Sequence, residues 1–252
     1  PDDESMGMGA TLAKYSAEGV ETSLVCATRG ERGWFGPEEQ NPGPGALGQI
    51  REGELRRAAE TLGMRALHFL DYIDGDLDAA NPAEVTDKIV TYIRAIQPHV
   101  VVTMPPDGNY GHPDHIAISQ FASAAIVCAA DATFIDRDGL PAHRVSKFYY
   151  MVDSENFVNF IMSVVGNITF PVDDQVRGEI AWKDWMVTTR VEMSAHCAAA
   201  LRAIKCHASQ LASIAPLAEL PEEQVAQVLS LQGTFYRVFS LVNGGRKVET
   251  DW

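Results

Sequence analysis

His99-Val100-Val101-Val102-Thr103-Met104, then Pro105-Pro106-Asp107-Gly108-Asn109-Tyr110-Gly111, then His112-Pro113-Asp114-His115 is the run of residues from which the architecture follows. HVVVTM is a short continuous apolar run, the pattern of a strand buried on both faces of a parallel sheet. The loop after it is broken by prolines and glycines and leads into a proline-led segment. Pro113 is pre-set for the first position of a helix, so the spacing puts His112 at the N-cap and Asp114 and His115 in the first turn. That helix runs to about Ala130, and His112 and His115, three apart, share one of its faces. In open parallel sheets ligands bind beyond the carboxyl ends of the strands, where loops enter helix N-termini. The His112 to His115 segment occupies such a place.

The flanking chain repeats the alternation. Residues 4 to 18 predict a helix, with Leu12 and Tyr15 among small residues and Gly19 as C-cap, followed by a β-branched strand over Val20 to Thr28. Arg29 to Ala46, rich in Gly and Pro, is a candidate lid or substrate loop. Helices over Gln49 to Gly63 and Pro82 to Gln97 bracket a short strand at Ala66 to Leu70, the second helix carrying Val85, Ile89, Ile93 and Ile96 in register. Strand and helix in alternation predict the α/β class, a Rossmann-like, mostly parallel sheet with helices on both faces. Further on, a strand is expected at Lys147 to Val152, a helix around Val187 to Ser209 and another at Pro221 to Leu231. We expect one domain over residues 1–252 with a small C-terminal extension, in which 134–190 shapes the substrate site or an interface.

Composition narrows the partners. The 252 residues are 46% hydrophobic and 21% charged, enough for one large core. Lys and Arg total 20 against 34 Asp and Glu, a formal net charge of -14, which repels nucleic acid and anionic lipid. A small molecule fits better as the partner. No apolar run reaches the ~18 residues of a membrane span, so membrane insertion is not expected. The most apolar stretch, Phe157 to Val172, is expected to be core or a subunit interface, which would make a homo-oligomer. Cys26, Cys128, Cys197 and Cys206 form no C-x-x-C pair, and reduced, mostly buried thiols point to a reducing compartment such as the cytoplasm.

A second motif, Pro1-Asp2-Asp3-Glu4, places carboxylates where a helix begins, and the positive end of the helix dipole keeps them ionised, as metal ligation requires. Taken singly, each motif is an ordinary capped helix start. Together, two histidines and three aspartates near strand ends are better explained as a metal-centred site. The residue types allow ligand, base and acid roles without dividing ligand from base between Asp2 and Asp3. Asp74 follows the strand ending at Leu70 and is placed to accept sugar hydroxyls, although Asp-Gly is also a common turn. His207, near a helix end, has a dipole-complementing or structural explanation beside a site role, and His68, His99, His143 and His196 are assigned to structure. Gly7-Met8-Gly9 is better explained by close helix packing than by a dinucleotide loop. His196-Cys197 and Cys206-His207, ~13.5 Å apart at helical rise, are too distant to share one ion.

Five segments in order, Pro1 to Glu4, Thr28-Arg29-Gly30-Glu31, Arg51 to Leu55 (REGEL), Gly108 to His115 (GNYGHPDH) and His207 to Gln210 (HASQ), resemble those of the PIG-L or LmbE-like zinc-dependent N-acetylglucosaminyl de-N-acetylases. The resemblance implies a Rossmann-like fold and zinc, or another divalent ion, bound by Asp3 and His115. It further implies Asp2 as the base that deprotonates water, His112 as the acid that protonates the departing amine, and Asp114 as the group that orients His112. Tyr110 would donate to the oxyanion, and Arg51 would reach the substrate. The family motif begins with a histidine, expected upstream of Pro1 as the third ligand. The implied activity is amide hydrolysis on a small molecule containing N-acetylglucosamine. An amidase acting on a thiol conjugate, or a hydratase, would use the same metal site, and a non-catalytic sugar- or nucleotide-binding module is the reading from another class.

Overall fold

The computed structural model describes residues 1–172, 175–218, 220–242 and 248–252. Along the chain run α1 (Asp3–Ala17), β1 (Ser23–Thr28), α2 (Pro44–Leu62), β2 (Ala66–Tyr72), α3 (Pro82–Ile96), β3 (Val100–Thr103), α4 (Gly108–Gly111) and α5 (Pro113–Ala130). They are followed by β4 (Lys147–Met151), α6 (Glu155–Val165), β5 (Thr169–Val172), β6 (Gln175–Gly178), β7 (Thr189–Arg190), α7 (Cys197–Cys206), α8 (Ala215–Ala218), α9 (Glu222–Ser230) and β8 (Thr234–Ser240). Helix boundaries follow local chemistry. Gly43 at φ 82° precedes Pro44, which opens α2 some residues before Gln49, and Gly63 closes that helix in the left-handed region. The Asn81 side chain caps α3 by accepting from Ala83 N at 3.0 Å.

The chain forms two compact units. The first comprises residues 1–74, 156–167 and 191–233. In it β1 pairs parallel with β2, from Ser23 against Ala66 onward. Ala10, Met193, Cys197, Ala200, Ile204, Val225 and Leu229 form one core cluster, and Ala13, Ala58, Leu62 and Ala203 another. A Cβ at Gly9 would stand 3.0 Å from Ala200 Cβ, so this glycine lets α1 and α7 approach closely, as its sequence context suggests.

The second unit comprises residues 75–155, 168–190 and 234–252. Its four-stranded sheet has the order β3-β4-β8-β7, with β3 and β4 parallel and β8 antiparallel to both neighbours. The mixed α/β class expected from the alternation is present, with parallel pairs where helices separate consecutive strands. The span Val187 to Ser209 departs from the single helix expected of it. β-Branched residues take its first part into β7, where Thr189 is fully buried and its hydroxyl donates to Glu249 at 3.1 Å. Regular helix begins only at Cys197. Among the described residues no helix is long and apolar enough to cross a membrane.

Arg94, at the last turn of α3, is 3% exposed and donates to five carbonyls, those of Cys128, Ala129, Asp131, Phe134 and Leu140, at 2.8–3.2 Å. Three of them lie at the C-terminal end of α5, where carbonyls have no partner within the helix. Asp136, buried, lies 3.8 Å from the same guanidinium. Arg94→Met removes the guanidinium donor from the Phe134 and Leu140 carbonyls and the counter-charge from buried Asp136, while Cys128, Ala129 and Asp131 keep main-chain donors, and unfolding free energy is expected to fall by about 3 kcal/mol. The measurement is a lower urea midpoint at unchanged slope.

Candidate active-site residues

In the first unit the acidic motif opens α1. Asp2 occupies the N-cap at φ 93°, ψ -34°, and its side chain makes no capping hydrogen bond, so helix capping does not account for it. Backbone held in that region is strained and persists only when neighbours over-determine it. The neighbours are present. Asp2 N donates to Glu4 Oε2 at 2.9 Å, while Arg51 Nη2 donates to Asp2 Oδ2 at 3.2 Å and to Pro1 O at 2.6 Å. Arg51 Nη1 also donates to Gly30 O at 3.0 Å. A Cβ at Gly30 or Gly33 would collide with the guanidinium, which explains both glycines in this loop. Burial, and then the like charge of Asp3, push Asp2 up to about 6 against the pull of Arg51. A carboxylate in that range is a better proton acceptor than an ordinary one. Asp3 follows in the first helical turn.

The loop after β1 is pinned rather than loose at its start. Arg29 forms ion pairs of 2.6 Å with Glu52 and Asp71. Asp74 accepts from Arg32 N and donates its own N–H to Glu31, each at 3.2 Å, so it ties the loop to the end of β2. His207 is fully buried, and its Nε2 lies 2.9 Å from Glu4 Oε1 and 3.2 Å from Ser5 Oγ. Burial opposes the charge of Glu4, yet the His207 and Ser5 hydrogen bonds hold its carboxyl below the usual value.

In the second unit His112 is the N-cap of α5 and Pro113 the first helical residue, as the spacing predicts. The two imidazoles are 4.7 Å apart between ring centroids. The Asp114 amide donates to His112 Nδ1 at 3.2 Å, whereas His115 Nδ1 lies 3.3 Å from the Gly108 carbonyl, which can only accept. Main-chain groups therefore set the two rings in opposite senses. A proton on Nε2 is favoured for His112, and a lone pair on Nε2 for His115. Asp114 is buried, and its oxygens accept from Gly75 N at 2.7 Å and Leu77 N at 3.1 Å.

Asn109 at φ 65° turns the chain so that Tyr110 stacks on Phe170, centroids 4.2 Å apart, with its edge toward His112 and His115 at 5.8 and 5.4 Å. Arg177 donates to Gly111 O, and Ile180 N to Asn109 O at 2.7 Å, so the β5–β6 segment covers this loop. Burial, and then Asp153, push Glu179 up to about 8, with His115 pulling the other way. Sequence reading gave Glu4 no role of its own within its motif and did not single out Asp153, Phe170, Arg177 or Glu179. Among the latter, Asp153 carried a usable signal, because it lies two residues beyond the carboxyl end of β4.

The structure thus assembles Asp2, Glu4, Arg51 and His207 in one unit, and Tyr110, His112, Asp114 and His115 in the other. Among the described residues no three His, Cys, Asp or Glu side chains stand as a complete cation site. His115, with its Nδ1 held by a carbonyl, has the arrangement usual for a metal-binding imidazole.

The family described as PIG-L: GlcNAc-PI de-N-acetylase matches residues 1–126. A 1D-myo-inositol 2-acetamido-2-deoxy-alpha-D-glucopyranoside deacetylase of Streptomyces avermitilis is 33% identical over 285 aligned positions, covering 100% of this chain and 92% of the relative. The deacetylase of the same description from Kineococcus radiotolerans is 33% identical, covering 84% of this chain and 66% of its own length. Among solved structures, the N,N'-diacetylchitobiose deacetylase of Pyrococcus horikoshii superimposes with TM-score 0.64 at 26% identity, over 83% of this chain and 67% of that one. With this match across half the chain, and relatives a third identical along its length, the protein belongs to the PIG-L family of de-N-acetylases.

Proposed function

We propose that this protein hydrolyses the acetamide of a small N-acetylglucosamine conjugate, releasing acetate and a free amine. The observation that carries the reading is the opposite setting of His112 and His115. Two adjacent imidazoles, one with an Nε2 lone pair and one with an Nε2–H, are a ligand and an acid. The relatives that act on a GlcNAc-inositol support the substrate class.

Asp3 and His115 are the residues of this chain that would hold zinc. When bound, the ion supplies a Lewis acid for the amide carbonyl and makes a water proton easier to remove. Asp2, held by Arg51 and Glu4, takes that proton at its carboxylate. His112 delivers its Nε2 proton to the departing nitrogen and recovers one at Nε2 from the carboxyl of Asp2, which closes the proton cycle, while Asp114, through its main-chain N–H on Nδ1, keeps the ring in the required tautomer. Tyr110, steadied by Phe170, donates its hydroxyl to the oxygen on which charge develops.

Amine release from N-acetylglucosamine and from its α-linked inositol conjugate is expected from the full-length protein. A chelator should abolish it and added zinc restore it. Turnover that persists in demonstrably metal-free protein sinks the mechanism.

A further inference from the structure

We infer that His207 is a positioning residue for Asp2, acting through the carboxylate of Glu4. The inference rests on the deacetylase reading above and deepens it. His207 caps the end of α7 with 0% exposure, and its Nε2–H donates to Glu4 Oε1 at 2.9 Å. The other oxygen of Glu4 accepts the Asp2 N–H at 2.9 Å, so one carboxylate connects the buried imidazole to the strained backbone of Asp2. The following residues anchor the same turn. Ser209 N and Oγ donate to Glu54 at 2.8 and 2.7 Å, and Gln210 Nε2 donates to Gly33 O at 2.9 Å.

Those contacts close on themselves. Gly33 N donates to Gly30 O at 3.1 Å, Gly30 O accepts from Arg51, and Arg51 reaches Asp2 Oδ2. Asp2 is therefore held from two sides by a ring of bonds that starts and ends in the turn 207–210. A histidine buried only for packing has no reason to share its acceptor with the residue that removes the proton. Positioning of this kind acts on the chemical step, since a displacement near 1 Å costs about 10²-fold in rate with little effect on binding.

The test uses the full-length zinc-loaded protein and N-acetylglucosaminyl inositol as probe. His207→Leu is expected to lower kcat about 10²-fold, with KM within about twofold and zinc content unchanged. Glu4→Leu should do the same, and the double variant should fall no further than either single one, because both cut the same link. His207→Gln, whose amide N–H reaches a similar distance, should recover most of the loss. Full kcat in His207→Leu overturns the inference alone. So do additive losses in the double variant, or equal losses in the Leu and Gln variants that track the folded fraction. A wild-type protein that releases no amine overturns the functional reading and this inference with it.

Discussion

Asp2→Asn is expected to lower kcat by about 10⁴-fold, at the upper end of what a positioned general base contributes, with zinc still bound. Asparagine keeps the shape of the side chain, and its carbonyl oxygen can accept the Arg51 N–H that Asp2 accepts at 3.2 Å. Its backbone N–H still faces Glu4, and Asn tolerates positive φ better than most residues. What disappears is the proton acceptor. The measurement is amine release under saturating substrate, with metal content and melting temperature determined on the same sample. Asp3→Asn supplies the contrast, because a lost ligand removes zinc together with turnover. A fall of less than about tenfold in Asp2→Asn, set against the usual contribution of acid–base catalysis, returns the base to another residue. The non-catalytic binding reading expects no loss of function from Asp2→Asn.

What was legible in the sequence was what local physics determines. Pro113 fixed the start of α5 and thereby the placement of His112 and His115, and HVVVTM announced the strand β3, although its residues are half-buried rather than fully buried. The features that escaped depend on partners far along the chain. Thr234 to Ser240 forms β8 by pairing with β7 and with β4, the latter more than eighty positions earlier, and nothing in its own residues names those partners. Glu4 and His207 are 203 positions apart. Read locally, one is a first-turn carboxylate and the other a cation at a helix end, each satisfied by the dipole. Arg51 shows the same gap. Its place on a helix allowed an arm toward substrate or a surface residue, whereas its guanidinium is buried on Pro1, Asp2 and Gly30. The Val187 to Ser209 region failed for another reason, since Ala and Leu in its second half lent helical weight to β-branched residues in its first.

His112→Asn separates the acid from the helix cap. Asn is among the best N-cap residues, so it can replace the bond that His112 Nδ1 accepts from Asp114 N, and α5 should start unchanged. It cannot deliver a proton as an imidazole does. The acetamide of a sugar amine leaves as a poor leaving group unless its nitrogen is protonated, so kcat on the N-acetylglucosamine conjugate is expected to fall about 10³-fold. An aryl acetate such as 4-nitrophenyl acetate departs without that help. On this substrate the same variant should stay within about tenfold of the wild type, since the acid then contributes little. Asp2→Asn must depress both substrates, because each needs an activated water. The two variants therefore give different patterns across the two leaving groups, and the pattern assigns the roles without reference to any distance. Equal losses on both substrates in His112→Asn would mean that His112 serves the water or the oxyanion instead. His115, whose Nδ1 lies on the Gly108 carbonyl, is the internal control. Replacing it should lower zinc content and both activities together.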